Sequence, residues 1–291
     1  MFYVRLVLLA LLTFHPGLAF AQEKLRVVAS FSILADFVHQ VAGDRVALTT
    51  LVGPDGDAHV FQPAPSDAKS LAQAQLIFIN GLKFEGWMDR LVQASGARAP
   101  VITASKGISA LLRQGANADP HAWQDVANAK IYVANIRDAL QAADPQGRPD
   151  FEANAATYIA KLDELEAKVR AAVAAIPSDR RKIITTHDAF GYFGRAYGMS
   201  FIAPQNVSTE AEASAQDVAK IITQIKAQKI PAVFLENITD NRLIERIAAE
   251  SGARIGGKVW SDALSPAGGP AATYLDMMAN NIRAFSAALA M

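Results

Sequence analysis

The chain contains no cysteine. That excludes disulfides, thiolate metal ligands and lipid attachment through a cysteine. No charge of either sign is in excess, since 28 Lys plus Arg face 28 Asp plus Glu. A polyanion partner calls for a clustered basic surplus, so nucleic acid is not an expected partner, and there is no sign of a polybasic membrane-surface patch. No close repeat, no low-complexity segment and no His-Glu-x-x-His segment occurs. What is abundant is apolar surface. With 51% hydrophobic residues in 291, the chain can bury the core of one large domain or of two modest lobes.

The first residues read as an export signal. Arg5 supplies the positive start, Leu6 to Phe14 an apolar run, and Ala19-Phe20-Ala21 a small-x-small cleavage site before Gln22. Pro16 and Gly17 break the run well short of the ~20 apolar residues of a membrane span. Residues 1–21 are therefore expected to be a signal peptide. The expected location is the periplasm, as a secreted protein and not a lipoprotein.

Strands and helices alternate along the mature part. Leu25 to Phe31 and Val46 to Val52 read as strands, with a helix over Ile33 to Val41 between them. A loop, Gly53 to His59, leads to a helix start at Pro65-Ser66-Asp67, with Ser66 as candidate N-cap. Leu76 to Gly81 and Val101 to Thr103 are further strands. Residues Asp150 to Ile176 carry no Gly or Pro, and Tyr158, Leu162, Leu165, Val169 and Val173 recur at helical spacing. A helix of that length spans roughly 40 Å, enough to bridge two lobes. Strands at Lys182 to Thr186, Pro231 to Leu235 and Ile255 to Trp260 then alternate with helices at Ala189 to Tyr197, Arg242 to Ser251 and Thr273 to Leu289. The expected fold class is α/β: two lobes with mainly parallel sheets joined by one long helix, and a ligand site in the cleft between them. The boundaries are 22–149 for the first lobe, 150–177 for the linking helix and 178–291 for the second lobe.

The chain has five histidines. His15 falls in the signal segment, and His39 lies in the first helix, where a surface or core role suffices. His59, His121 and His187 each follow a strand or sit in a loop, where a rigid scaffold presents a ligand. One such histidine alone is ordinarily a solvated or hydrogen-bonded side chain; three together point to a metal ion. Imidazole suits zinc, copper, nickel and iron, and zinc usually takes four ligands. A carboxylate would complete the shell. Asp262, after the last strand, is the best placed, with Glu236 as competitor. Asp57, Asp119 and Asp188 lie one or two positions from the histidines and are candidates to accept from their far ring nitrogens.

Several segments carry a family resemblance: Ala-His-Val-Phe-Gln-Pro-Ala-Pro-Ser-Asp at 58–67, Asn-Gly at 80–81 with Phe-Glu-Gly-Trp at 84–87, Asp-Pro-His-Ala-Trp at 119–123, His-Asp-Ala-Phe-Gly-Tyr-Phe at 187–193, Ser-Asp-Ala-Leu at 261–264 and Gly-Pro-Ala-Ala-Thr-Tyr at 269–274. Each is weak alone; their occurrence in this order is specific. The chain resembles the zinc- and manganese-specific solute-binding proteins of ABC transporters, also called cluster A-I or family 9. The resemblance covers nearly the whole mature chain. It implies two lobes on one long helix, with metal ligands at His59, His121, His187 and Asp262. Manganese-type members tend to carry Glu at the third position, and His187 matches the zinc type. Many zinc-type members also have a His- and acid-rich loop between the first two ligands. Here 68–120 holds no His, and Gly115 to Ala118 is only a short turn.

The expected function is capture of zinc as cargo and its delivery to an ABC-type importer, without catalysis. Manganese or iron(II) is the alternative cargo. An exported zinc hydrolase, with Glu236 or Asp188 as base, is the rival from another class, and a surface adhesin a third. The expected partner is the membrane permease, with a periplasmic metallochaperone as a further candidate, and the expected state is a monomer.

Overall fold

The computed structural model describes residues 23–112 and 118–289. The expected signal peptide and most of the expected Gly115–Ala118 turn lie outside the described residues.

The first lobe is built on β1 (Leu25–Phe31), β2 (Val46–Val52), β3 (Leu76–Ile79) and β4 (Val101–Thr103), all parallel, in the order β2-β1-β3-β4. The second uses β5 (Lys182–Ile184), β6 (Ser200–Ile202), β7 (Ala232–Glu236) and β8 (Arg254–Val259), parallel in the order β6-β5-β7-β8. Parallel strands need crossovers, and helices supply them. In the first lobe these are α1 (Ser32–Ala42), α2 (Pro65–Gln73) and α3 (Met88–Ser95), followed by α4 (Val126–Ala143). Then comes α5 (Arg148–Ala174). The second lobe adds α6 (Gly191–Tyr197), α7 (Ala215–Gln228), α8 (Arg242–Ser251) and α9 (Tyr274–Leu289). The expected pair of α/β lobes on a long helix is what the chain forms. Among the described residues no helix is long and apolar enough to cross a membrane.

Helix α5 buries Phe151, Ala155, Tyr158, Leu162, Leu165, Val169 and Val173, a narrow stripe at spacings of three and four. That stripe packs on α1 and α4 of the first lobe and on α6 and α9 of the second. One continuous apolar core therefore runs through both lobes, from Phe37 and Tyr132 to Phe193 and Phe285. A smaller cluster lies on the other face of the second sheet, where Val218, Ile221 and Ile225 of α7 meet Ile244 and Ile247 of α8.

Two local expectations change. Ser66 does not cap α2. The helix starts two residues earlier than that cap would place it, with Pro65 at its first position and Ala64 as N-cap, and Asp67 Oδ2 accepts the Ala64 N–H at 2.7 Å. Proline's fixed φ suits the first helical position, which shifts the start upstream of Ser66. The strand expected over Lys182 to Thr186 stops at Ile184. Thr186 and His187 leave it because the Glu236 carboxylate takes both their N–H groups, at 2.6 and 2.9 Å.

The turn after β3 is left-handed over three successive residues, with φ of 83° at Gly81, 54° at Leu82 and 65° at Lys83. It folds Glu85 back under β3, where the buried carboxylate accepts from Ser30 Oγ and from Asn80 N–H. A Cβ on Gly81 would lie 2.4 Å from Thr103 Cγ2. Gly81→Ala should therefore cost about 1–3 kcal/mol of stability, from backbone strain and overpacking together. The urea midpoint of the metal-free protein measures it.

Candidate metal centre

Four loops carry the site to the seam between the lobes. His59 sits beyond β2, His121 before α4, His187 beyond β5 and Asp262 beyond β8. One atom from each lies within 4.8 Å of those from the other three. Asp262 Oδ2 is 3.1 Å from His59 Nε2, 3.4 Å from His121 Nε2 and 3.1 Å from His187 Nε2. His59 and His121 approach Nε2 to Nε2 at 3.3 Å. All four side chains are buried. The other carboxylate oxygen, Asp262 Oδ1, is buried and has no hydrogen-bond partner among the described residues. An orphaned buried carboxylate oxygen among three imidazoles is costly unless a cation satisfies it.

Two of the rings are held from behind by carboxylates. Asp119 Oδ1 meets His121 Nδ1 at 2.8 Å, and Glu236 Oε2 meets His187 Nδ1 at 2.6 Å. Such partners fix the tautomer and leave Nε2 facing a metal. Glu236, the competitor for the fourth ligand, is therefore an orienting residue. Of the three aspartates beside the histidines, Asp119 meets a ring nitrogen. Asp57 Oδ1 instead accepts the backbone N–H of His59 at 2.9 Å, and the Asp188 N–H donates to the Asn206 carbonyl.

The lobes are fastened beside the site. Trp123 Nε1 and Gln124 Nε2 both donate to the Ser261 carbonyl, at 2.9 and 2.7 Å. Those bonds tie the segment after His121 to the residue before Asp262. Asn80 Nδ2 donates to the Pro120 carbonyl at 3.0 Å, while Tyr132 donates to Asn80 Oδ1. Phe84 packs edge-on against His59, with ring centroids 4.7 Å apart. Asn80, Phe84 and Trp123 are visible in the sequence only as motif residues; their positioning roles need the fold.

Burial lowers the pKa of His59 and keeps that ring neutral, despite Asp262. Burial also opposes protonation of His121, but the charges of Asp262 and Asp119 outweigh it and push His121 up to about 9. His187 is raised well above its ordinary value for the same reason, with Glu236 the leading partner against burial. Asp262 is held well below the usual carboxylate range by His121 and His187, against the effect of its burial.

The family model described as "ZnuA: Zinc-uptake complex component A periplasmic" matches residues 27–288. The chain belongs to this family. Similar proteins include the manganese-binding lipoprotein MntA of Halalkalibacterium halodurans, 35% identical over 268 residues, which span 92% of this chain and 89% of MntA. The metal ABC transporter substrate-binding lipoprotein FimA of Streptococcus parasanguinis is 32% identical over 272 residues, 90% of this chain and 88% of FimA. Among solved structures, the periplasmic zinc binding protein TroA from Treponema pallidum has a TM-score of 0.89 at 34% identity, covering 92% of this chain and all of that one. The expected role in capturing a metal ion for an ABC transporter agrees with this ZnuA-family membership, as does the two-lobed fold.

One expectation is corrected. The reading of a periplasmic protein that is not a lipoprotein conflicts with MntA and FimA, both named lipoproteins. Absence of cysteine was the ground for that placement, and the placement is withdrawn.

The shifts set the pH response. The pKa of His121 lies above its ordinary 6.5, so its contribution to metal-free stability is full below about pH 6.5 and is lost as pH rises through about 9. Metal needs the same ring deprotonated, so affinity should rise over that window. The melting temperature of metal-free protein should fall between those limits while the increment on loading grows, as calorimetric scans would register. Glu236→Gln should weaken metal binding about 10–100-fold while one ion still binds, because His187 loses its orienting carboxylate; isothermal titration reads this directly.

Proposed function

We propose that this ZnuA-family chain binds zinc as its cargo through His59, His121, His187 and Asp262, performs no catalysis, and releases the ion to the permease of an ABC importer as a monomer. The observation that carries the reading is the meeting of three imidazole Nε2 atoms on one Asp262 oxygen. Three imidazoles and one carboxylate suit a borderline ion in a four-coordinate shell, and suit hard all-oxygen ions poorly. The donor set also bears on the hydrolase rival. Four side chains leave no open position of the kind catalytic zinc keeps for water, and Glu236 is engaged by His187 and two backbone N–H groups rather than free to act as base.

Manganese is the second reading, favoured by the name of MntA, a manganese-binding relative. The ligand at 187 divides the two. Imidazole in place of a carboxylate weakens the match to manganese and strengthens that to zinc. A delivering metallochaperone is the further partner in this proposal, consistent with the lack of histidine over 68–120.

Competition titration of metal-free protein should show zinc bound more than about 100-fold tighter than manganese, following the order of intrinsic affinities. Manganese binding as tight as zinc would remove the cargo assignment. His59→Ala and His187→Ala should each lower zinc affinity by more than about 100-fold, beyond the loss of an orienting partner. Unchanged zinc binding in either would count against the ligand set.

A further inference from the structure

The motif Gly-Pro-Ala-Ala-Thr-Tyr at 269–274 runs into the first residue of α9 and lies outside the four ligand segments. Tyr274, its last residue, is fully buried, and Asn281 is only 1% exposed. Seven residues apart, their side chains stand on one face of the helix, about 10 Å from each other along its axis. Each grips backbone two residues from a metal ligand. Tyr274 donates its hydroxyl to the carbonyl of Trp123, two residues past His121, at 2.7 Å. Asn281 takes both backbone groups of Trp260, two residues before Asp262. Its Oδ1 accepts the Trp260 N–H at 2.9 Å, and its Nδ2 donates to the Trp260 carbonyl at 2.7 Å.

Trp260 lies just beyond β8, whose ladder with β7 ends at Val259. Past that point the ladder no longer fixes the backbone that leads to Asp262. A carboxamide presents a donor and an acceptor side by side, as a peptide group does, and here its two partners decide which end is which. The grip of Asn281 therefore sets the direction in which the chain leaves the sheet. A helix that merely filled the core would do so with an apolar side chain at 281. A buried amide is costly unless its bonds are made, and here both are.

Helix α9 is itself fixed to the first lobe. The Tyr274 N–H, at the helix start, has no partner within the helix, and Asp36 Oδ2 of α1 accepts it at 2.8 Å. The Trp123 indole and the Gln124 amide close the circuit on the Ser261 carbonyl.

We propose that Tyr274 and Asn281 are positioning residues of the metal centre: α9 holds the His121 segment of one lobe and the Asp262 segment of the other at a fixed separation, so that both ligands reach one ion. Neither residue is itself a ligand. This role rests on the metal-capture reading above.

Zinc affinity, by competition with a chromophoric chelator, and the visible absorption of cobalt(II)-loaded protein test it. Cobalt(II) absorbs strongly in a four-coordinate shell and weakly in a six-coordinate one, so its band reports ligand geometry independently of stability. Asn281→Leu keeps the bulk and removes both bonds. Zinc affinity should fall about 10–100-fold and the cobalt band should weaken. Tyr274→Phe removes one hydroxyl and should cost about tenfold by way of His121. Combined with Asp262→Ala, Asn281→Leu should add less than about twofold, because its effect passes through that carboxylate. A purely structural role would lower the melting temperature, leave affinity within about twofold of wild type and leave the band unchanged. That result overturns the proposal, as does full additivity with Asp262→Ala. Should Asn281→Leu lose the circular dichroism of the folded chain, Tyr274→Phe decides the matter on the same two readouts. Failure of the wild-type protein to bind zinc would instead strike the cargo reading itself.

Discussion

A fully buried carboxylate cannot stay ionised without positive charge close by, and Asp262 has the His121 and His187 imidazoles for that purpose. This constraint organises everything around the seam. In the metal-free protein, protons on His121 and His187 serve as the counter-charge. A divalent ion replaces them with a larger charge at the same point, so loading is an exchange of protons for metal. The Asp119 and Glu236 carboxylates behind the rings keep Nε2 turned inward in either state. The site is thereby shaped before the ion arrives, and little ordering cost falls on binding.

Much of this was legible in the sequence because the chemistry and the periodicity are both local. His59, His121 and His187 stand out as loop histidines in a chain without thiols, and Asp262 as the acid after a strand. The stripe of Tyr158, Leu162, Leu165, Val169 and Val173 announces α5 by spacing alone, and all five residues are buried. The strands of both sheets are short β-branched runs and were found nearly to the residue, apart from β6. What remained hidden depends on contact between distant segments. Strand β6 opens on Ser200 and lacks a β-branched pair such as the Val101-Ile102 of the equally short β4, so nothing in its three residues marks it. Helix α4 mixes Ala and Asn with its buried Tyr132, Ile136 and Leu140, and its Asp125 cap follows the metal motif so closely that the helix start is masked. Helix α7 has a readable pattern at Val218, Ile221 and Ile225, yet its partners lie on α8 and β7. Glu236 illustrates the limit at the site. Sequence position makes it a possible ligand, while only geometry reveals that it faces the outer nitrogen of His187.

The fold explains why the ligands meet where they do. Both sheets follow the same pattern, with the first strand between the second and third. The ligands His59, His187 and Asp262 leave the carboxyl ends of β2, β5 and β8, the side on which open α/β sheets bind, and meet at the seam. Trp123 and Gln124 then hold the Ser261 carbonyl from the first lobe, which sets the position of Asp262 relative to His121 through a few covalent bonds on either side.

The apolar core passes unbroken from one lobe to the other along α5. Parting the lobes would wet that interior, and each buried Leu or Val brought into water costs roughly 1.5–3 kcal/mol. Such a body behaves as a stiff frame carrying movable trim, not as a pair of jaws. Full and empty carriers then share nearly one outline, and a receptor telling them apart must feel the loops at the rim rather than gauge the spacing of the halves.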